Sequence, residues 1–133
     1  MDEAIPTNAI DYRRNPERYP LDGDDEIALS AQPYFSEVSA HWRYATAREA
    51  GESAAWLYEF YLRYREAGDF VGMDVVRRLL RLALRRARES EGNATAPAGH
   101  PTAAAIFSKT FRMVDRDPQY ATMRERFIEQ HGG

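Results

Sequence analysis

Residues 46–90 read TAREAGESAAWLYEFYLRYREAGDFVGMDVVRRLLRLALRRARES, and the periodicity of this stretch decides the fold. Thr46 suits a helix N-cap, and Glu49 three residues on gives the capping-box spacing. At about 100° per residue, Ala50, Ala54, Trp56, Leu57, Phe60, Tyr61 and Tyr64 gather on one broad face, while Glu52, Glu59, Arg63 and Glu66 share the other. Tyr58 lies off the apolar face and is the aromatic expected to be exposed. Gly68 suits the residue that ends this helix, and Asp69 can cap the next. From Phe70 to Ser90 the pattern resumes: Met73, Val75, Val76, Leu79, Leu80, Ala83, Leu84 and Ala87 fill one side, and Arg77, Arg81, Arg85 and Arg88 form a row on the other. So short a connection forces the helices antiparallel, which predicts a helical hairpin over 46–90.

Downstream, residues 91–101 (EGNATAPAGHP) are small and turn-forming and predict a connector. Two C-terminal helices are expected within 102–131, one over Thr102–Val114 and one from the Asp117-Pro118 start signal to about Gln130. Upstream, residues 1–25 are polar and proline-punctuated, predicting an arm with a helical turn at Pro16–Tyr19. The alternation in Glu26–Ala31 predicts a short edge strand stopped by Pro33, and Tyr34–Tyr44 has no clean period and predicts irregular structure. The expected fold is thus mainly α, a hairpin with two further helices and a short irregular or β N-terminal element, in a single domain over 26–133.

A chain of 133 residues with 44% hydrophobic and 12% aromatic residues is long and apolar enough for one core. Cysteine is absent, which excludes disulfides, thiolate metal sites and a cysteine nucleophile. The first twenty residues never form an apolar run and no stretch reaches membrane-spanning length, so a cytoplasmic location without membrane association is expected. A net charge of -3 does not favour a polyanionic partner globally. Of the 18 basic residues only Lys109 is lysine; the arginines fit a GC-rich genome or bidentate recognition of carboxylate and phosphate.

The runs Asp11–Tyr19, Gln32–Glu37 and His41–Tyr44, and above all Asp69-Phe70-Val71-Gly72-Met73-Asp74 with Arg77, Arg86 and Arg88 behind it, resemble a family of uncharacterised bacterial and phage proteins. Those are labelled as cytoplasmic proteins or as a domain of unknown function. The resemblance covers Asp11–Arg88, with a fainter continuation into the C-terminal helices. It implies fold and location and transfers no catalytic residue, substrate or cofactor.

Two groups of residues carry candidate chemistry. The first is the row Arg77, Arg81, Arg85 and Arg88, with Arg78 at its shoulder, which spans about 16 Å of helix and matches a phosphate backbone or an acidic protein. Its other reading is a solvated face, or one paired with Asp74, Glu89 or the acidic run Asp22–Glu26. The second is Tyr34, Glu37, His41, Trp42, Arg43 and Tyr44, which gathers an acid/base group, a carboxylate, a guanidinium and stacking rings within eleven positions. This group fits a small-ligand or catalytic cleft, or a packing cluster around one histidine. His41, His100 and His131 are scattered, and the Asp22–Glu26 run lacks calcium-loop spacing, so no metal and no cofactor is expected. The leading expectation is a binding module for a nucleic acid or acidic protein partner, with a small-ligand protein or enzyme, and a homo-oligomer built on the hairpin, as alternatives.

Overall fold

The computed structural model describes residues 9–91 and 101–132. 3-10 turns at Pro16–Arg18 and Asp25–Ser30 lead into a short helix α1 (Tyr34–Val38) and a further 3-10 turn at Ser39–His41. Four longer helices follow: α2 (Ala47–Glu66), α3 (Phe70–Glu91), α4 (Ala103–Asp115) and α5 (Pro118–Phe127), the last continued by a π-helical turn at Ile128–Gly132. The start of the expected arm and most of the expected connector lie outside the described residues. Among the described residues no helix is long and apolar enough to cross a membrane.

The helix boundaries follow from local chemistry. Thr46 Oγ1 accepts from the Glu49 amide at 3.1 Å, and the Glu49 carboxylate reaches back to the Ala45 amide at 3.2 Å. At the other end of α2, Gly68 adopts φ 71°, the Asp69 amide bonds the Tyr64 carbonyl and the Gly68 amide that of Arg65. This is the paired reverse bonding that a left-handed glycine permits. Thr102 caps α4 through the Ala105 amide, and Asp117 caps α5 through that of Gln119, with Pro118 in the first turn.

The mainly α hairpin architecture is present, with α3 as its axis. Every residue from Phe70 to Val76 is buried, because α2 and α4 pack along this helix and against each other, the Asp25–Ser30 turn covers a further side, and α5 crosses its start through Tyr120 and Phe127. Leu57, Leu79, Leu80 and Phe107 are fully enclosed, each contributing about 1.5–3 kcal/mol of burial. Tyr19 and Ala28 from the N-terminal segment belong to the same core.

Three local expectations are corrected. The predicted strand at Glu26–Ala31 is a 3-10 turn: the buried pair is Ala28 and Ala31, three apart as three residues per turn require, not two apart as in a strand. Tyr34–Tyr44, expected to be irregular, holds α1 and a 3-10 turn. Trp56 is 43% exposed and lies flat on His41 with ring centroids 4.3 Å apart, whereas Tyr58, expected outside, is half-buried against Tyr61. A broad apolar stripe has edges, and the wheel does not say which edge a neighbouring turn will cover.

Gly72 marks the closest approach of α3 to α2. A Cβ there would stand 2.6 Å from the Tyr64 ring, which is itself buried and cannot swing aside. Gly72→Ala is expected to lower unfolding free energy by about 2 kcal/mol or more, as overpacking does. Denaturant unfolding with an unchanged m-value checks it; a loss within error would mean that Tyr64 repacks freely.

Candidate functional site

The arginine row meets carboxylates of its own chain. Arg77 grips Asp115 Oδ1 through Nε (3.0 Å) and Nη2 (2.7 Å) and lies over the Phe111 and Tyr120 rings. Arg81 holds Asp25 with a two-pronged pair of bonds at 2.7 and 2.8 Å, and Arg85 reaches Asp25 at 3.6 Å and Glu26 at 3.8 Å. Burial alone would raise the Asp25 carboxyl, but the Arg81 bonds and the charges of Arg81, Arg78 and Arg85 outweigh it and hold the group below its ordinary value. Arg88 is exposed and has no ion pair among the described residues. A polyanion at Arg81 would have to compete with Asp25 for Nε and Nη2, although the side chain is 38% exposed.

Arg78, at the shoulder of the row, is buried. It donates from Nε to Asp74 at 2.7 Å, from Nη1 to the Gly23 and Asp24 carbonyls at 2.6 and 2.8 Å, and from Nη2 to the Leu21 carbonyl. Asp74, 1% exposed, also accepts from the hydroxyls of Tyr19 and Tyr120, each at 2.5 Å. Burial, then the Asp74 charge, pushes both phenols well above their ordinary value. The clue to this network in the sequence was an aspartate on an otherwise apolar face with an arginine four residues on; nothing there named the two tyrosines.

The aromatic segment does not converge on one point. Tyr34 donates to Asp69 at 2.7 Å, and Glu37 accepts a two-pronged pair from Arg13 at 2.7 and 2.8 Å and a bond from the Tyr64 hydroxyl at 2.7 Å. His41 instead stacks on Trp56. Trp42 Nε1 donates to the Leu79 carbonyl at 3.0 Å, the Arg43 amide donates to Ser53 Oγ, and Arg86 lies over the Trp42 ring while donating to the Tyr44 hydroxyl. No hydrogen bond or ion pair among the described residues joins Glu37, His41 and Arg43 to one another. Among the described residues no group of three or more His, Asp or Glu is placed to hold a metal ion.

A concave site lies elsewhere, at the mouth of the hairpin. A cleft of about 920 Å³ separates the Gly68–Asp69 turn and the start of α3 from the facing side of α5. Its lining includes Phe70, Val71, Met123 and Phe127, of which all but Met123 are almost fully buried, together with Arg13, Arg65, Arg126, His131, Glu66 and Asp69. Arg65 is tied to Asp117 at 2.8 Å, beside the Tyr61 hydroxyl on the same oxygen, and Arg13 is tied to Glu37 and Asp69. No residue of the arginine row or of the Tyr34–Tyr44 candidate group lines this cleft, although Gly68 and the Asp69-Phe70-Val71 start of the resemblance motif do.

The family model described as Domain of unknown function (DUF4385) matches residues 2–100. The chain belongs to that family. No curated protein and no solved structure matches it. The DUF4385 segment contains the row, the aromatic segment and the hairpin wall of the cleft, whereas Met123, Arg126 and Phe127 lie beyond the matched residues.

Asp74→Asn removes the nearer negative charge and leaves buried Arg78 with only Asp25 at 3.9 Å as a counter-charge, so a loss of up to about 3–5 kcal/mol is expected. Tyr120→Phe, which removes one of three donors, is expected to cost about 1–3 kcal/mol. Denaturant unfolding of both variants measures this, and equal small losses would contradict the network. The folded carboxyls of Asp25, Glu37 and Asp117 all lie below their ordinary values, each pushed up by burial but pulled down further by its hydrogen-bond donors. Their stabilisation is complete above the unfolded values of about 3.9–4.3 and drains away as pH falls through the lower folded ones. The Tm is therefore expected to fall on acidification below about pH 4, less steeply in Asp25→Asn, as a calorimetric pH series would record.

Proposed function

We propose that this DUF4385 chain is a cytoplasmic binding module that takes a phosphate-bearing or acidic partner in the cleft at the hairpin mouth. One observation carries the reading: Arg13, Arg65 and Arg126 line one cleft with Phe70, Val71, Met123 and Phe127, in a volume of about 920 Å³. Apolar walls with a few placed polar groups are what a ligand site needs. The arginine row remains attractive by charge, but Arg77, Arg81 and Arg85 already have carboxylate partners, so an external anion there must compete with covalently tethered ones. In the cleft Arg126 has no ion pair among the described residues and is exposed.

Nuclear magnetic resonance titration of the labelled chain with a phosphorylated peptide, an acidic peptide and a short RNA tests this. Perturbed amides are expected at Gly68–Val71 and Thr122–Phe127, with Arg126→Glu weakening binding at least about tenfold, the size of a lost charge-assisted bond. Shifts confined to Arg81–Arg88 that survive Arg126→Glu but vanish in Arg81→Glu/Arg85→Glu would move the site to the row. Silence from all three would remove the binding reading.

A further inference from the structure

Because Phe70, Val71 and Phe127 are almost fully buried, what the cleft presents to a partner is chiefly its polar lining. Gln119, Thr122, Arg126 and Gln130 all line it, and their spacing of three and four puts them on one face of α5 and the turn that continues it. All four are exposed, and none of their side chains has a hydrogen bond or ion pair among the described residues. His131 stands beside them, its ring centroid 4.9 Å from that of Phe127. Arg13 and Arg65 are paired with Glu37, Asp69 and Asp117, so Arg126 and His131 are the groups left for an anion. On the hairpin side the lining includes Glu66, Ala67 and Gly68. The backbone bonds that close α2 end on the Arg63, Tyr64 and Arg65 carbonyls, which leaves those of Glu66, Ala67 and Gly68 as acceptors, and the Glu66 carboxylate adds to them.

A cleft with amide and hydroxyl groups along one face and carbonyls on another suits a partner that carries donors and acceptors in alternation, as a peptide main chain does. From Gln119 to Gln130 the face runs about 16 Å, the reach of about five residues of extended chain. A nucleic acid strand is instead held by several cations along its backbone. The Arg126 guanidinium alone can engage both oxygens of a carboxylate; the Thr122 hydroxyl and the Gln130 amide, one turn away on either side, suit the third oxygen of a phosphate monoester. We infer that the occupant of the cleft is an extended peptide segment carrying one phosphorylated side chain; this rests on the cleft reading above and selects one of the partners it admits. The phosphate meets Arg126, and the main chain runs along the α5 face towards Gln119.

Fluorescence anisotropy of the full chain with labelled nonapeptide pools, degenerate except for a central phosphoserine, glutamate or serine, tests it beside a labelled single-stranded RNA. The phosphoserine pool is expected to bind at least about tenfold tighter than either other pool, and Arg126→Gln to bring it down to the level of the serine pool. Gln119 lies seven residues from Arg126, about 10 Å along the helix and beyond reach of the phosphate. Gln119→Ala is therefore expected to weaken the phosphoserine pool about three- to tenfold through lost main-chain bonds, and free phosphoserine to compete at least about tenfold more weakly than the unlabelled pool. Both substituted side chains are exposed, so the Tm of each variant checks that folding is unchanged. Equal binding of the serine pool, or a Gln119→Ala variant that binds as the parent does, would overturn the inference. Equal or tighter binding of the glutamate pool, or RNA binding that is tighter than that of the phosphoserine pool and lost in Arg126→Gln, would overturn it and leave the cleft reading standing. Silence from every probe would remove both.

Discussion

A carboxylate enclosed in the middle of the central helix must find donors, and the donors that Asp74 finds come from three parts of the chain. Tyr19 belongs to the N-terminal segment, Arg78 to the next turn of α3, and Tyr120 to α5. Arg78 in turn uses its remaining donors on carbonyls of Leu21, Gly23 and Asp24, so one buried ion pair fixes a backbone segment that has almost no apolar residues of its own. Burying a charge is unfavourable unless it is paired and fully hydrogen-bonded. Among the described residues no buried side-chain polar atom lacks a partner. The same logic repeats around the hairpin mouth, where Glu37 joins Arg13 and Tyr64, and Asp117 joins Arg65 and Tyr61.

This arrangement accounts for the run Asp69–Asp74 residue by residue. Asp69 accepts from the Gly72 amide, Tyr34 and Arg13; Phe70 packs against Tyr120 and Phe127; Val71 is buried in the core; Gly72 lets the Tyr64 ring approach; Met73 is fully buried; and Asp74 is the hub. The run looked like a turn followed by a helix start, which it is. What it also does is join α2, α3, α5 and the N-terminal segment at one end of the molecule, and it is there that the cleft opens.

The parts of the fold governed by local chemistry were legible in the sequence. The caps at Thr46 and Asp117, the glycine at 68 and the period of α3 each carry their own signal, and the hairpin and both C-terminal helices follow from them. The N-terminal turn was misread because Ile27, Leu29 and Ala31 stand two apart and give weak alternation, whereas the fully buried residues, Ala28 and Ala31, stand three apart. The partners of the arginine row were visible only as one possibility: Asp25 was in a run noted for its charge, while Asp115 lies 38 residues beyond Arg77. The cleft was not legible at all, because it is made by the placement of α5 against a turn some fifty residues earlier, and no spacing rule encodes that placement. Its position moves the search for function from the most conspicuous charges to a less conspicuous concavity, where Arg126 stands without an ion pair among the described residues.

Arg81 and Arg85 of the row clasp the N-terminal segment onto α3 through Asp25 and Glu26, whereas Arg77 ties α3 to Asp115 of α4. A double-mutant cycle on Asp25 and Arg81, using Asp25→Asn, Arg81→Gln and the pair, measures that clasp directly by denaturant unfolding. A coupling free energy of about 1–3 kcal/mol is expected, the range for residues sharing one ion-pair network. Additive losses, with no coupling beyond about 0.3–0.5 kcal/mol, would mean that the row does not hold the segment and would return Arg81 and its neighbours to the list of free cations awaiting a partner.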